Sequence, residues 1–339
     1  MIKNESELED RLSEPTPEVV ESVARLDGDF ILLGVAGKMG VSLARMVRRA
    51  LDRSGRRGRV TGVARFSDPS LREKLESAGI GTLAGDLMDR SFLELLPEAR
   101  NVIYMVGVKF GSTGNEPFTW ASNAYLPALV AEKFRASRLA AFSTGNVYPF
   151  VPVDSGGSRE TDPTGPVGEY AQSCLGRERV FQYFCGRYQT PAVILRLNYA
   201  IDLRYGVLLD IAQRVFRGEP LDLATGHVNF IWQGDANAFT IRSLEIAEVP
   251  PRLLNLTGPG TFRVRDLAEA FGREFQRQPV FSGVESGTAL LADAGQCREL
   301  FGPPRVEVET MVAWVAEWVR SGGPTWKKPT HFDTRDGKF

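Results

Sequence analysis

The sequence predicts an α/β fold: a doubly wound parallel β-sheet, covered by helices on both faces, with a smaller C-terminal lobe. Two patterns predict it. Short apolar runs alternate with helical patterns from Phe30 to Leu197, as repeated βαβ units require. The first run, Phe30 to Leu33, leads into Gly34-Val-Ala-Gly37-Lys-Met-Gly40, and a helical pattern follows at once. The 339 residues suffice for one large α/β domain with a smaller lobe.

Taken in order, residues 1–28 read as a helical extension. Thr16-Pro17-Glu18 supplies an N-cap, a proline at the first helical position and an acidic first turn, and Val19, Val20, Val23 and Leu26 form one apolar stripe. After Leu33, Gly34 allows the tight turn out of the strand. Gly37 lets backbone N–H groups approach a pyrophosphate, and Gly40 lets the helix pack close to the sheet. The helix N-terminus then offers N–H donors and a partial positive charge to an anion. A glycine triplet placed between a buried strand and a helix points to a bound dinucleotide. Leu43, Met46, Val47, Ala50 and Leu51 form the buried helix face.

The second strand, Val60 to Ala64, ends at Arg65. An acidic residue there would accept from an adenosine ribose and favour NAD. Arg65 instead could pair with a 2′-phosphate or stack on adenine, which leans the NAD(P) expectation toward NADP; a surface arginine is the alternative. Leu71 to Ala78 reads as a helix and Gly81 to Ala84 as a strand closed by Gly85-Asp86-Leu87. Asp86 could accept from the adenine amino group or cap a helix starting near Ser91. A strand from Asn101 to Val106 runs into Gly107-Val-Lys109, and a helix carrying Trp120, Asn123, Leu126, Leu129, Val130 and Phe134 follows. The fifth strand, Leu139 to Phe142, ends at Ser143-Thr144. The Pro- and Gly-rich loop from Pro149 to Gly168 delivers Tyr170 into a helix that runs to about Arg187, and Ala192 to Leu197 is a sixth strand. Strand carboxyl ends in such a sheet share one ligand crevice.

Beyond it, Gly206–Phe216, Val264–Phe275 and Thr310–Val319 read as helices, and Gly226–Trp232 and Leu253–Leu256 as strands. Residues 29–200 are therefore expected to bind the dinucleotide. Residues 201–321 form mainly a substrate-binding lobe that can return elements to the sheet. In the polar tail, 322–339, Trp326, Phe332 and Phe339 predict docking on the body or on a partner subunit.

The formal net charge of -1 gives no electrostatic drive toward nucleic acid or acidic membranes. The basic run Arg48, Arg49, Arg53, Arg56, Arg57 and Arg59 reads mainly as a solvated helix end. Three cysteines, Cys174, Cys185 and Cys297, lack paired spacing, which favours a reducing cytoplasm over a disulfide framework. His227 and His331 form no metal-ligand pattern, so no metal is expected. The acidic, polar N-terminus lacks the basic and apolar regions of a signal peptide, and no apolar run approaches a membrane span.

Several of these pieces, in order, resemble an extended short-chain dehydrogenase/reductase of the NAD-dependent epimerase/dehydratase group, with a Rossmann-type fold. They are Gly34-x-x-Gly37-x-x-Gly40, Gly85-Asp86-Leu87, Asn123, Ser143-Thr144-Gly-Asn-Val147-Tyr148, Tyr170 with Glu178 downstream, Leu195-Arg196-Leu197, Ile231-Trp-Gln-Gly-Asp235 and Leu254-Asn255-Leu256. The resemblance implies a sugar or nucleotide-sugar substrate and hydride transfer to or from nicotinamide. Tyr170 would handle the hydroxyl proton and Thr144 the substrate oxygen, with Ser143 as neighbour. Cofactor contacts fall to Gly34, Gly37, Lys38, Met39, Gly40, Arg65, Asp86, Leu87, Val106, Lys109 and Asn123. Asn198 could bond a sugar hydroxyl or phosphate, or cap a turn, and Arg204 could meet an anionic group. The group often pairs through two helices, here 120–136 and 170–187, whose apolar faces are consistent with a homodimer.

One departure bears on the chemistry. A tyrosine with an ordinary pKa of about 10 must be shifted toward neutrality to act as a base. The group does this with a lysine four residues on, which also holds the nicotinamide ribose. Here the segment reads Tyr170-Ala-Gln-Ser-Cys174. Three readings stay open. Another cation substitutes, with Arg177 and Lys109 as candidates; or Tyr170 remains a protonated acid in different chemistry; or the protein binds a dinucleotide, in a regulatory or scaffold role, with impaired catalysis. Cys174 itself reads as a small buried apolar residue rather than a reactive thiol.

Overall fold

A computed structural model of the chain describes residues 2–109, 111–328 and 330–338. Seven parallel strands form the central sheet: β1 (Phe30–Leu33), β2 (Val60–Ala64), β3 (Gly81–Ala84), β4 (Asn101–Tyr104), β5 (Arg138–Thr144), β6 (Ala192–Leu197) and β7 (Arg252–Leu256). Their spatial order is β7-β6-β5-β4-β1-β2-β3, so the direction of winding reverses beside β1 and β4. Alternate residues of a strand face opposite sides. Phe30 and Leu32 pack with Ile103, Val193 and Leu254 under the helix Gly40–Ser54, while Ile31 and Leu33 pack with Val102, Ile194 and Phe181 on the other face. Both faces are apolar because both are covered. The doubly wound fold expected from the sequence is the fold of the chain.

The seventh strand comes from the C-terminal half and pairs in register with β6, Leu254 opposite Leu195. A second core lies between the helices Val207–Arg217, Val264–Phe275 and Val308–Arg320, where Ile211, Phe271 and Val315 are fully buried. No helix among the described residues is long and apolar enough to cross a membrane.

Local expectations need four corrections. The extension holds two helices, Glu5–Leu12 and Pro17–Arg25; Leu8 and Leu12, one turn apart, bury the first. Gly226–Trp232 is not one strand but two short pairings, His227–Val228 with Phe262–Arg263 and Ile231–Trp232 with Ala200–Ile201. The helix after β4 is interrupted by a π-helical turn, Ala121–Tyr125. The helix near Ser91 is capped by Asp89, whose carboxylate accepts from the Ser91 N–H at 2.9 Å, and not by Asp86. The basic run is largely met by acids from the extension and its neighbours: Arg49 and Arg53 pair with Glu14, and Arg59 with Asp29.

Candidate active site

The glycine loop shapes the first cavity. Gly34 has φ +87°, and a Cβ there would stand 3.0 Å from the Val106 side chain. A Cβ on Gly40 would lie 2.1 Å from the carbonyl oxygen of Val35, so only glycine lets the helix start this close to the sheet. Met39 supplies no side-chain cap to that helix; the Gly40 N–H bonds to the Gly37 carbonyl at 3.0 Å, so an anion would meet the N–H groups that follow it. A cleft of about 540 Å³ runs from here along the carboxyl edge of the sheet, lined by Gly34, Gly37, Arg65, Asp86, Leu87 and Val106 among others. That volume lies within the range of small-molecule sites. Arg65 is exposed at the rim. The Asp86 carboxylate accepts from the Met88 N–H at 2.9 Å, holding the turn after β3. These residues fit a dinucleotide: a cradle that a Cβ would fill, and an uncapped helix end.

Other residues expected at the cofactor lie elsewhere. Met39 is buried in the core. Asn123 is fully buried and clamps the loop after β4: its Nδ2 donates to the Val108 carbonyl and its Oδ1 accepts from the Val108 N–H, both at 2.9 Å. The π-helical turn puts it there. Lys38 and Lys109 line a second cavity of about 150 Å³ with Thr144, Asn146, Asn198, Tyr199, Tyr205 and Thr330.

The end of β5 separates two hydroxyls into different tasks. Ser143 Oγ donates at 2.6 Å to Glu178, which pairs at 2.7 Å with Arg196; both charged groups are buried. Arg196 also donates to the Tyr148 hydroxyl at 2.7 Å, and Tyr148 donates to Asn255 at 2.8 Å. Ser143 therefore belongs to a buried network behind the site. Thr144 faces the second cavity, and its hydroxyl donates to Asn146 Oδ1 at 2.9 Å.

Tyr170 is in side-chain hydrogen-bond contact with both Thr144 and Cys174. Burial pushes its hydroxyl above the usual tyrosine value and the Cys174 thiol adds to the rise, while Arg177 and the Thr144 bond pull it down. Cys174 is fully buried, and burial raises its own thiol. Of the two candidate cations, Arg177 is committed to the protein interior: it donates to the Phe142 carbonyl at 2.9 Å and to Asn123 Oδ1 at 2.8 Å. The Lys109 ammonium stands 5.8 Å from the centroid of the Tyr170 ring, near the limit for cation–π attraction. Burial pulls Lys109 down to about 8.

Across the cavity, Lys38 reaches away from the glycine loop to donate to the Ala200 carbonyl, and lies 4.8 Å from the centroid of Tyr205. Burial likewise pulls it down to about 8, helped by the charge of Lys109 and opposed by Asp202. The Asn198 amide donates to Asn229, its side chain buried at the cavity wall. Arg204 does not face a ligand: it pairs with Asp202 at 2.7 Å and Glu9 at 2.6 Å, tying the N-terminal helix to the C-terminal lobe.

The tail is the part of the site that carries no sequence motif. It crosses the mouth on the body of the same chain. Trp326 stacks on Tyr205 at 5.9 Å, Thr330 donates twice to Asp210 (2.8 and 2.6 Å), and Asp333 pairs with Arg214 at 3.2 Å. Lys328 lines the large cleft, and the Thr330 carbonyl accepts from Lys109 at 3.4 Å. Its aromatics foretold docking; Phe339 lies outside the described residues. No group of three His, Cys, Asp or Glu side chains among the described residues could hold a metal.

The sequence profile of the NAD dependent epimerase/dehydratase family matches residues 30–201. No curated protein matches the chain. Solved structures of similar fold include the UDP-glucose 4-epimerase of Thermotoga maritima with UDP-glucose, at 17% identity and a TM-score of 0.69, covering 87% of this chain and 99% of that one. The UDP-glucuronic acid 4-epimerase of Bacillus cereus, in complex with UDP-glucuronic acid and NAD, gives 16% identity, a TM-score of 0.69 and coverage of 86% and 99%. MoeE5 in complex with UDP-glucose and NAD gives 20%, 0.68, and coverage of 87% and 99%. At these identities the likeness is one of fold.

Proposed function

The chain belongs to the NAD dependent epimerase/dehydratase family, and we propose that it is an NAD(P)-dependent enzyme that epimerises, dehydrates or oxidises a sugar or nucleotide sugar. The observation that carries the reading is the contact of Tyr170 with Thr144, which lines the second cavity. Gly34, Gly37 and the helix N-terminus at Gly40 would hold the diphosphate, and Arg65 the adenosine end. The bound nicotinamide would supply the hydride acceptor. Thr144 orients the substrate oxygen, and Tyr170 holds its proton. Because burial raises Tyr170, the hydroxyl form dominates near neutral pH, which suits proton donation to a developing alkoxide. Proton removal in the other direction draws on Lys109, the cation over its ring.

Fluorescence titration with NADH and NADPH is expected to show binding below millimolar. Absorbance at the nicotinamide band is then followed with a panel of sugars and nucleotide sugars. Tyr170→Phe is expected to lower turnover by ~10²-fold or more, with cofactor affinity unchanged. Failure of both cofactors to bind at millimolar concentration overturns the reading. Arg65 at the rim favours NADP, although two of the solved proteins named above are in complex with NAD; Arg65→Ala is expected to weaken NADPH by about tenfold and leave NADH unaffected. Cys174 supports a second reading, a dinucleotide-binding regulatory or scaffold protein with impaired catalysis, and cofactor binding without turnover on a broad panel would favour it. The exposed rings of Trp120, Tyr125 and Tyr183 on the two long helices support a homodimer, which light scattering tests.

A further inference from the structure

The glycine loop brings no cation of its own to the large cleft. Lys38, inside the motif, turns away to the Ala200 carbonyl and the Tyr205 ring. The helix that starts at Gly40 offers only about half an elementary charge, so a diphosphate there keeps most of its charge unmet. Among the described residues, the charged side chains lining the cleft are Arg65, Asp68, Asp86 and Lys328. The two acids hold local turns: Asp68 accepts from the Ser70 N–H and Asp86 from the Met88 N–H, each at 2.9 Å. Arg65 follows β2, at the adenosine end. Without Lys328 the acids would outnumber the cations in a cleft that has to take an anion.

Lys328 comes from the tail, nearly 300 residues after the glycine loop, and its neighbours fix where it enters. Two residues before it, the Trp326 N–H donates to the Arg204 carbonyl at 3.1 Å, and its indole stacks on Tyr205, the ring whose centroid lies 4.8 Å from the Lys38 ammonium. Two residues after it, the Thr330 carbonyl accepts from Lys109 at 3.4 Å, while the Thr330 N–H and hydroxyl both donate to Asp210. Lys38 belongs to the loop after β1 and Lys109 to the loop after β4, and these strands are neighbours in the sheet. The tail thus touches both loops that flank the reversal of winding, where a doubly wound sheet takes its ligand. Lys328 itself is exposed and, among the described residues, makes no hydrogen bond or ion pair. We propose that Lys328 is a cofactor-binding residue, its ammonium the counter-ion of the dinucleotide's diphosphate, supplied by the tail in place of Lys38. The inference rests on the dinucleotide reading above and adds to it a contact that no motif carries. With the backbone held at Trp326 and Thr330, only the side chain has to order when the anion arrives.

The test is fluorescence titration of the full chain with NADH and with NADPH, in the wild type, Lys328→Met and Lys328→Arg. At low salt Lys328→Met is expected to weaken both cofactors by the same factor, about tenfold. Lys328→Arg should keep most of the affinity, since a cation is what the site needs. The gap between wild type and Lys328→Met should close as salt is added. ADP-ribose, which carries the diphosphate without nicotinamide, should show the same loss in competition with NADH. Thermal melts without cofactor should coincide within about 1 °C, because the side chain supports nothing in the free protein. A loss confined to NADPH overturns the proposal, for the ammonium then serves the 2′-phosphate. A loss that stays the same at high salt overturns it too, because charge is then not its cause. Unchanged affinity for both cofactors in Lys328→Met sinks the proposal and leaves the dinucleotide reading standing. If the wild type binds neither cofactor, that reading fails and the proposal falls with it.

Discussion

A thiol at position 174 sits in the one part of the site already crowded with cations. Cys174 is fully buried, and the charges of both Arg177 and Lys109 act on it. Restoring a lysine there puts a third cation beside two others in a poorly hydrated space. Cys174→Lys is therefore expected to give no gain in rate and to lower Tm by roughly 5 °C, read by thermal melts beside turnover; a gain in rate would mean that the position had simply lost its function. Lys38 makes the opposite case. Its folded pKa of about 8 lies below the ~10.4 of an unfolded lysine. The unfolded chain thus binds more protons between these values, and stability rises with pH across that window. Below about 8 the penalty is fully present, so Lys38→Met is expected to raise Tm at pH 7, by an amount that shrinks toward pH 10. Glu178→Gln is expected to destabilise by ~3–5 kcal/mol in denaturant melts, because it leaves Arg196 charged and unpaired in the interior.

At the scale of elements, what the sequence makes legible follows the period of its apolar residues. The buried runs of β1, β2 and β4 to β6, and the glycine turn between β1 and its helix, are visible because each buries a contiguous set of side chains. Gly40→Ala is expected to abolish cofactor binding and to destabilise the chain in the same melts, since its methyl would meet the Val35 carbonyl, a backbone atom that side-chain motion cannot clear. The illegible elements are those set by partners remote in sequence. Nothing in Ala121–Tyr125 itself calls for a π-helical turn; it arises where Asn123 must meet both the loop after β4 and Arg177. The split of 227–232 depends on Phe262 and Ala200, which pair with its two halves. The first helix of the extension was open to reading, for Leu8 and Leu12 lie one turn apart, but its acidic surface hides so short a stripe.

At the scale of the whole molecule, the site is assembled from both halves of the chain. Thr144 and Tyr170 can be singled out from the sequence because both lie in ordered motifs, and the fold brings the two side chains into contact. The sequence did not show that Lys38 and Lys109 leave the cofactor cleft for a second cavity, since a side chain's direction is decided by what receives it, here Ala200 and Thr330. Nor could it show the route of the tail. That route has a kinetic meaning. Trp326, Thr330 and Asp333 hold to Arg204, Asp210 and Arg214 in one lobe while Lys328 and Thr330 border the cavities of the site. A terminal segment held by a few such bonds opens far more often than the core unfolds. Entry of a large ligand then waits on that opening, and collision is not the limiting event. In stopped-flow mixing, the observed rate of ligand association should climb with concentration and level off, and the plateau should vanish when the tail is removed after Gly323.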